Sequence, residues 1–108
     1  MYRVHMAWQA KADLIEIHNY VATHDSATKA GKLREAILKK CFTLDRLPER
    51  GHVPPEVLEF STRQFLEIHY KPYRIVYQII ERDVFIIGIL GGRRSLDVLL
   101  RERMLRYQ

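Results

Sequence analysis

Arginine and histidine carry whatever chemistry this sequence can do. Arg74 stands inside an apolar run, Arg93 and Arg94 follow a diglycine, and Arg101 lies further along the same segment. A guanidinium is permanently charged and offers a planar fork of donors to a carboxylate or a phosphate, so these positions suit polyanion or acidic-protein recognition. Residues 93–108 hold five arginines against Asp97 and Glu102. A solvated basic helix face is the bland account of such a cluster. The position of Arg93 and Arg94 at the start of a predicted helix favours binding, because guanidinium forks and free backbone N–H groups then point the same way. His69 can titrate near neutrality and act as acid or base. A surface histidine on an edge strand is the simpler reading, and we prefer it. His52 lies in a proline-containing loop with no evident partner.

Arg74 has two readings. A charge in so apolar a strand must face solvent, line a site or pair with an acid, because an unpaired buried charge is very costly. It either binds a partner or pairs with Glu67 across a hairpin and pins the register. The histidines 5, 18, 24, 52 and 69 are scattered without zinc-finger spacing, so no metal and no cofactor is expected. Cys41, the single cysteine, excludes an intramolecular disulfide and falls in an apolar helical stripe, where it reads as a small buried side chain.

The elements that must position these residues follow from hydrophobic period. A short strand is predicted over residues 2–8. Leu14, Ile17 and Val21 then recur at helical spacing, with Asp13, Glu16 and Asn19 between them, giving an amphipathic helix over 10–23. Asp25 or Ser26 can cap a second helix, over 27–47, whose stripe is Ala30, Leu33, Ile37, Cys41, Leu44 and Leu47, stopped by Pro48 and Gly51. Trp8 and Tyr77 read as core or hairpin-packing residues. Residues 48–63, with Pro48, Pro54 and Pro55, read as an irregular loop.

Phe65–Tyr70, Tyr73–Ile80 and Val84–Leu90 are rich in aromatic and β-branched residues and separated by gaps too short for a parallel return. They are predicted as an antiparallel meander. Ser95 is a candidate cap for a last helix carrying Leu96, Leu99, Leu100, Met104 and Leu105. The result is a single α+β domain over 1–108: N-terminal strand, antiparallel helix hairpin, three-stranded antiparallel β-meander and C-terminal helix, with the helices gathered on one face.

At 108 residues the chain has room for one core. Eighteen Lys+Arg against thirteen Asp+Glu give a formal net charge of +5, which draws such a domain towards polyanions or an acidic partner. The N-terminus lacks the apolar stretch of a secretion signal, and no apolar run approaches a membrane span. A reducing, cytoplasmic setting is expected.

The stretch Tyr70-Lys71-Pro72-Tyr73-Arg74-Ile75-Val76-Tyr77-Gln78-Ile79, followed by Ile87-Gly88-Ile89-Leu90-Gly91-Gly92-Arg93-Arg94, resembles the RelE/ParE toxin family. Ala12-Asp13-Leu14-Ile15-Glu16-Ile17-His18-Asn19-Tyr20 and Leu47-Pro48-Glu49-Arg50-Gly51 are similar to motifs of its ParE-like branch, which includes plasmid-stabilisation toxins. The resemblance runs from Tyr2 to about Arg106. It implies the toxin of a type II toxin–antitoxin pair, neutralised by a ParD-like antitoxin that alone would contact operator DNA. ParE-like members inhibit DNA gyrase by binding; RelE-like members cut messenger RNA on the ribosome.

The RelE-like mechanism uses two arginines, which the resemblance places at Arg74 and Arg93. It also uses a lysine pair and a tyrosine, and those positions fall here at about Phe65, Glu67 and Leu99. A leucine cannot carry a proton and a phenylalanine cannot stabilise a phosphorane, so a RelE-style mechanism lacks its working parts. The ParE-like reading is therefore preferred. The rival is a nuclease built on His69, Arg74 and Arg93, and a third possibility is a non-toxic member that only binds its partner.

Overall fold

A computed structural model describes residues 1–55 and 65–91. Strand β1 (Arg3–Met6) leads into helix α1 (Trp8–His24), and helix α2 (Ala27–Phe42) follows after Asp25 and Ser26. Three strands come next, β2 (Phe65–Tyr70), β3 (Tyr73–Ile80) and β4 (Asp83–Leu90). They form one sheet in the order β1-β4-β3-β2. The meander pairs are antiparallel as predicted, whereas β1 joins β4 in parallel, so the sheet is mixed. The long α1–α2 excursion between β1 and the later strands makes that parallel pairing possible, since a parallel return needs a crossover. The predicted C-terminal helix lies outside the described residues.

Ser26 caps α2, its hydroxyl accepting from the Lys29 amide at 3.1 Å. The helix ends at Phe42, earlier than the stripe to Leu47 suggests. A 3-10 turn over Thr43–Asp45 keeps Leu44 buried, but Leu47 is 76% exposed and left-handed, with φ 48°. Pro48 follows it and disfavours right-handed helical backbone in the residue before it, so the helical path does not run on through Leu47. Arg50 then folds back over the helix end. Its guanidinium donates to the carbonyls of Arg46 at 2.8 Å and Thr43 at 3.3 Å.

The core lies between the helix pair and one sheet face. Ala10, Leu14, Ile37, Cys41 and Leu44 meet Ile68, Ile75, Tyr77, Val84, Ile86 and Ile89. Val84 and Ile86 keep the strand period of two, but Ile89 breaks it. A register shift between Val76 and Tyr77, which pair with Gly88 and Ile86, leaves Ile87 as an extra residue and returns Ile89 to the helix-facing side. Burial drives the Cys41 thiol up to about 12, so it stays protonated and packs as an apolar group. Trp8, read from sequence as a packing residue, is instead 65% exposed at the first turn of α1.

Two polar contacts fix how the layers meet. Asp13, on the face of α1 that period alone assigns to solvent, is buried, and its Oδ2 accepts the Ile89 amide at 2.9 Å. β1 ends opposite Ile86, so β4 outruns its neighbouring strand and a side chain from α1 supplies an acceptor there. Tyr77, fully buried, donates its hydroxyl to the Pro48 carbonyl at 2.5 Å and accepts the Gly51 amide at 3.2 Å. Gly51 is thus clamped. A Cβ there would overlap the Tyr77 hydroxyl and lie 2.8 Å from the Glu67 carbonyl oxygen.

At the far edge, Arg3 grips its register partner Asp83 through Nε at 2.8 Å and a second nitrogen at 3.1 Å, and His5 Nε2 lies 2.7 Å away. The hydrogen bond from Arg3, then that from His5, holds the Asp83 carboxyl down at about 2.

Tyr77→Phe leaves the Pro48 carbonyl and the Gly51 amide without their partner and is expected to cost about 1–3 kcal/mol in urea unfolding. Gly51→Ala should cost at least as much, and a neutral result for both would refute the clamp. For Asp83 the folded pKa is depressed. Its contribution is complete above the unfolded value of about 3.9 and disappears as pH falls through about 2. The stability difference between wild type and Asp83→Asn should therefore shrink on acidification from about pH 5 to about pH 2. A difference that stays constant across that interval contradicts the assignment.

Candidate functional site

Alternation along β2 and β3 sends Phe65, Glu67 and His69 to the face opposite the helices, together with Arg74, Val76 and Gln78. Glu67 is only 1% exposed, and a carboxylate so buried must be compensated. Arg74, placed opposite His69 in the register and diagonal to Glu67, closes a fork on it. Nε donates to Oε1 at 2.9 Å and the terminal nitrogen to Oε2 at 2.7 Å. His69 Nε2 lies 2.5 Å from Oε1.

A fourth group arrives from the proline loop. His52 forms an isolated bridge with Glu67, accepting its amide at 2.8 Å and donating to its carbonyl at 3.1 Å. This exchange brings the His52 ring to 5.1 Å from the His69 ring, edge to face, with its Nε2 3.7 Å from Glu67 Oε1. Both histidines are exposed, so the cluster has a buried acid at its base and two imidazoles at its mouth. Burial alone would raise the Glu67 carboxyl, but the hydrogen bonds from Arg74 and His69 and the nearby charges outweigh it and hold it below the usual range.

Of the residues singled out from sequence, the structure brings Arg74 and His69 together around Glu67. Arg93, Arg94 and Arg101 lie outside the described residues, as does Leu99. The pairing of Arg74 with Glu67 is one of its two sequence readings. Glu67 and His69 share a face by strand period, a relation visible in the sequence. His52 was not recoverable as their neighbour, since a single bridge from an irregular loop leaves no periodic signal.

The arrangement supports three kinds of chemistry in principle: a structural ion pair, proton transfer through His69 on an oriented carboxylate, and metal ligation by two imidazoles and a carboxylate. The first is realised in the geometry itself.

Comparisons over most of the chain agree with this fold. The profile of the family described as the ParE toxin of the type II toxin-antitoxin system parDE matches residues 4–96. The chain belongs to the ParE toxin family. Its fold is similar to that of a chain in the chromosomal ParDE toxin–antitoxin system from P. aeruginosa, with a TM-score of 0.68 at 20% identity, over 84% of this chain and 96% of that one. A search of curated protein sequences returns no match.

Removing one member of the ion pair should expose its cost. Arg74→Ala leaves a buried carboxylate short of its main cation and is expected to destabilise the fold by about 3 kcal/mol. The double variant Arg74→Met/Glu67→Leu should lose much less than the two single substitutions combined. Additive losses in urea unfolding would show that the two groups do not depend on each other.

Proposed function

We propose that this ParE-family chain is the toxin of a type II pair and acts by binding DNA gyrase, without cutting a nucleic acid itself. The observation that carries the reading is what stands at the positions where a nuclease of the wider family would place its lysines. Phe65 is fully buried, and Glu67 is a buried acid whose charge is engaged by Arg74. Neither can steady a phosphorane or serve as a free general acid on a transcript.

Arg74 already has a carboxylate in its own chain, so its substitution should act mainly on stability. Target or antitoxin binding is assigned chiefly to Arg93, Arg94 and Arg101, which contribute to the net charge of +5 carried by the whole chain. A ParD-like antitoxin would lay an extended or helical segment along the helix hairpin and sheet, bringing acids to these arginines. Exposed Trp8 and Ile15 on α1 and Phe42 on α2 offer apolar surface for such a segment. Contact with operator DNA would come only through the antitoxin. A cytoplasmic location follows from a gyrase target, and no helix of the described residues is long and apolar enough to cross a membrane.

One observation keeps a second reading alive. His69, oriented by Glu67 and next to Arg74 and His52, is a possible acid–base group for a ribosome-dependent nuclease that also uses Arg93. Purified protein is expected to inhibit gyrase-catalysed supercoiling, to lose that inhibition in Arg93→Ala/Arg94→Ala, and to keep it in His69→Ala. Cleavage of messenger RNA on translating ribosomes that is abolished in His69→Ala, with supercoiling untouched, would establish the rival.

A further inference from the structure

The mouth of the Glu67 cluster holds a donor set that the ion pair does not use up. His52, His69 and Glu67 offer one potential ligand atom each, all within 4.8 Å of one another. Two imidazole nitrogens and one carboxylate oxygen form a borderline-soft set, suited to zinc, nickel or copper(II) and poorly suited to calcium or magnesium, which favour all-oxygen shells. We propose that His52, Glu67 and His69 form a binding site for one divalent transition-metal ion on the outer face of the β2–β3 hairpin.

Closing on one ion requires the imidazoles to move, since the three ligand atoms lie within 4.8 Å of one another. Ligand atoms sharing a tetrahedral ion at about 2.0–2.1 Å stand roughly 3.3 Å apart. In the structure Oε1 lies 2.5 Å from His69 Nε2 and 3.7 Å from His52 Nε2, values on either side of that spacing. Both rings are exposed, whereas Glu67 is buried and held by the Arg74 fork. Of the two lone pairs on Oε1, one receives the Arg74 Nε–H at 2.9 Å and the other faces His69. The ion takes the place of the His69 Nε2 proton and leaves the Arg74 fork intact.

The backbone makes the donors a unit before any ion arrives. The paired amide–carbonyl exchange between His52 and Glu67 fixes the spacing of two ligands, and strand period fixes the third. Arg74 orients the carboxylate as outer partners do at metal sites, yet its positive charge opposes a second cation close by. The site therefore binds more weakly than a closed structural zinc centre and leaves coordination positions open to solvent. Binding ties the proline loop to β2 and favours the native state by mass action.

Calorimetric titration of the full chain, first stripped with chelator, with zinc chloride and then nickel chloride tests the site. One-to-one saturable binding is expected, weakened at least tenfold in His52→Ala and in His69→Ala and lost in the double variant. His18→Ala and His24→Ala, on helix α1, should leave it unchanged. Thermal unfolding of wild type should shift upward with zinc concentration, and that of the double variant should not. The proposal is overturned if the folded double variant binds as wild type does, or if folded wild type shows no saturable binding at millimolar metal. Neither result bears on gyrase inhibition, which is read separately.

Discussion

One buried carboxylate organises the β2–β3 hairpin and the loop that leads into it. Glu67 sits in the middle of β2 with almost no solvent contact, and an ionised acid there is tolerable only because several donors converge on it. Arg74 supplies two of them from the neighbouring strand and His69 another from its own. The same residue exchanges both backbone bonds with His52 and places its carbonyl against Gly51. The loop entry, the β2–β3 register and the imidazole cluster therefore meet at a single position. The energetic logic is asymmetric, since the complete set adds modest stability whereas the loss of one member leaves an uncompensated charge.

This constraint changes how the basic character of the chain translates into function. A net charge of +5 suggests free cations, yet the two described arginines that stand in the sheet are both engaged by acids: Arg74 by Glu67 and Arg3 by Asp83. These forks pin opposite sides of the sheet. They hold β2 to β3 at one side and β1 to β4 at the other, while Asp13 ties α1 to the bulged end of β4. Charge spent on registering strands is largely withdrawn from recognition. Under the proposed function, recognition is left to Arg93, Arg94 and Arg101 and to apolar surface on the helix hairpin, such as Trp8, Ile15 and Phe42.

Most of the elements were legible because the chain changes period cleanly. Helical spacing through Leu14, Ile17 and Val21, the Ser26 cap, and the aromatic and β-branched runs from Phe65 onwards each correspond to an observed element. The parts that were not legible depend on contacts distant in sequence. Nothing local shows that β1 lies parallel to β4, or that Ile87 bulges and returns Ile89 to the core. Asp13 reads as a solvent-facing acid until the Ile89 amide is seen to need an acceptor. Leu47 has the right spacing for the α2 stripe, but it precedes Pro48, leaves the helical path and is exposed. At the site, the Glu67–Arg74 pair was one of two readings, and the arrival of His52 was invisible.

The central claim is that Arg74 is an internal partner locked on Glu67. Nitrogen-resolved NMR of the arginine side chains tests it most directly. At neutral pH the Arg74 Nε–H should give a sharp, slowly exchanging signal with hindered rotation about the Nε–Cζ bond, both lost in Glu67→Gln. An Arg74 signal that exchanges and averages like that of a solvent-exposed arginine in the folded wild type would contradict the account.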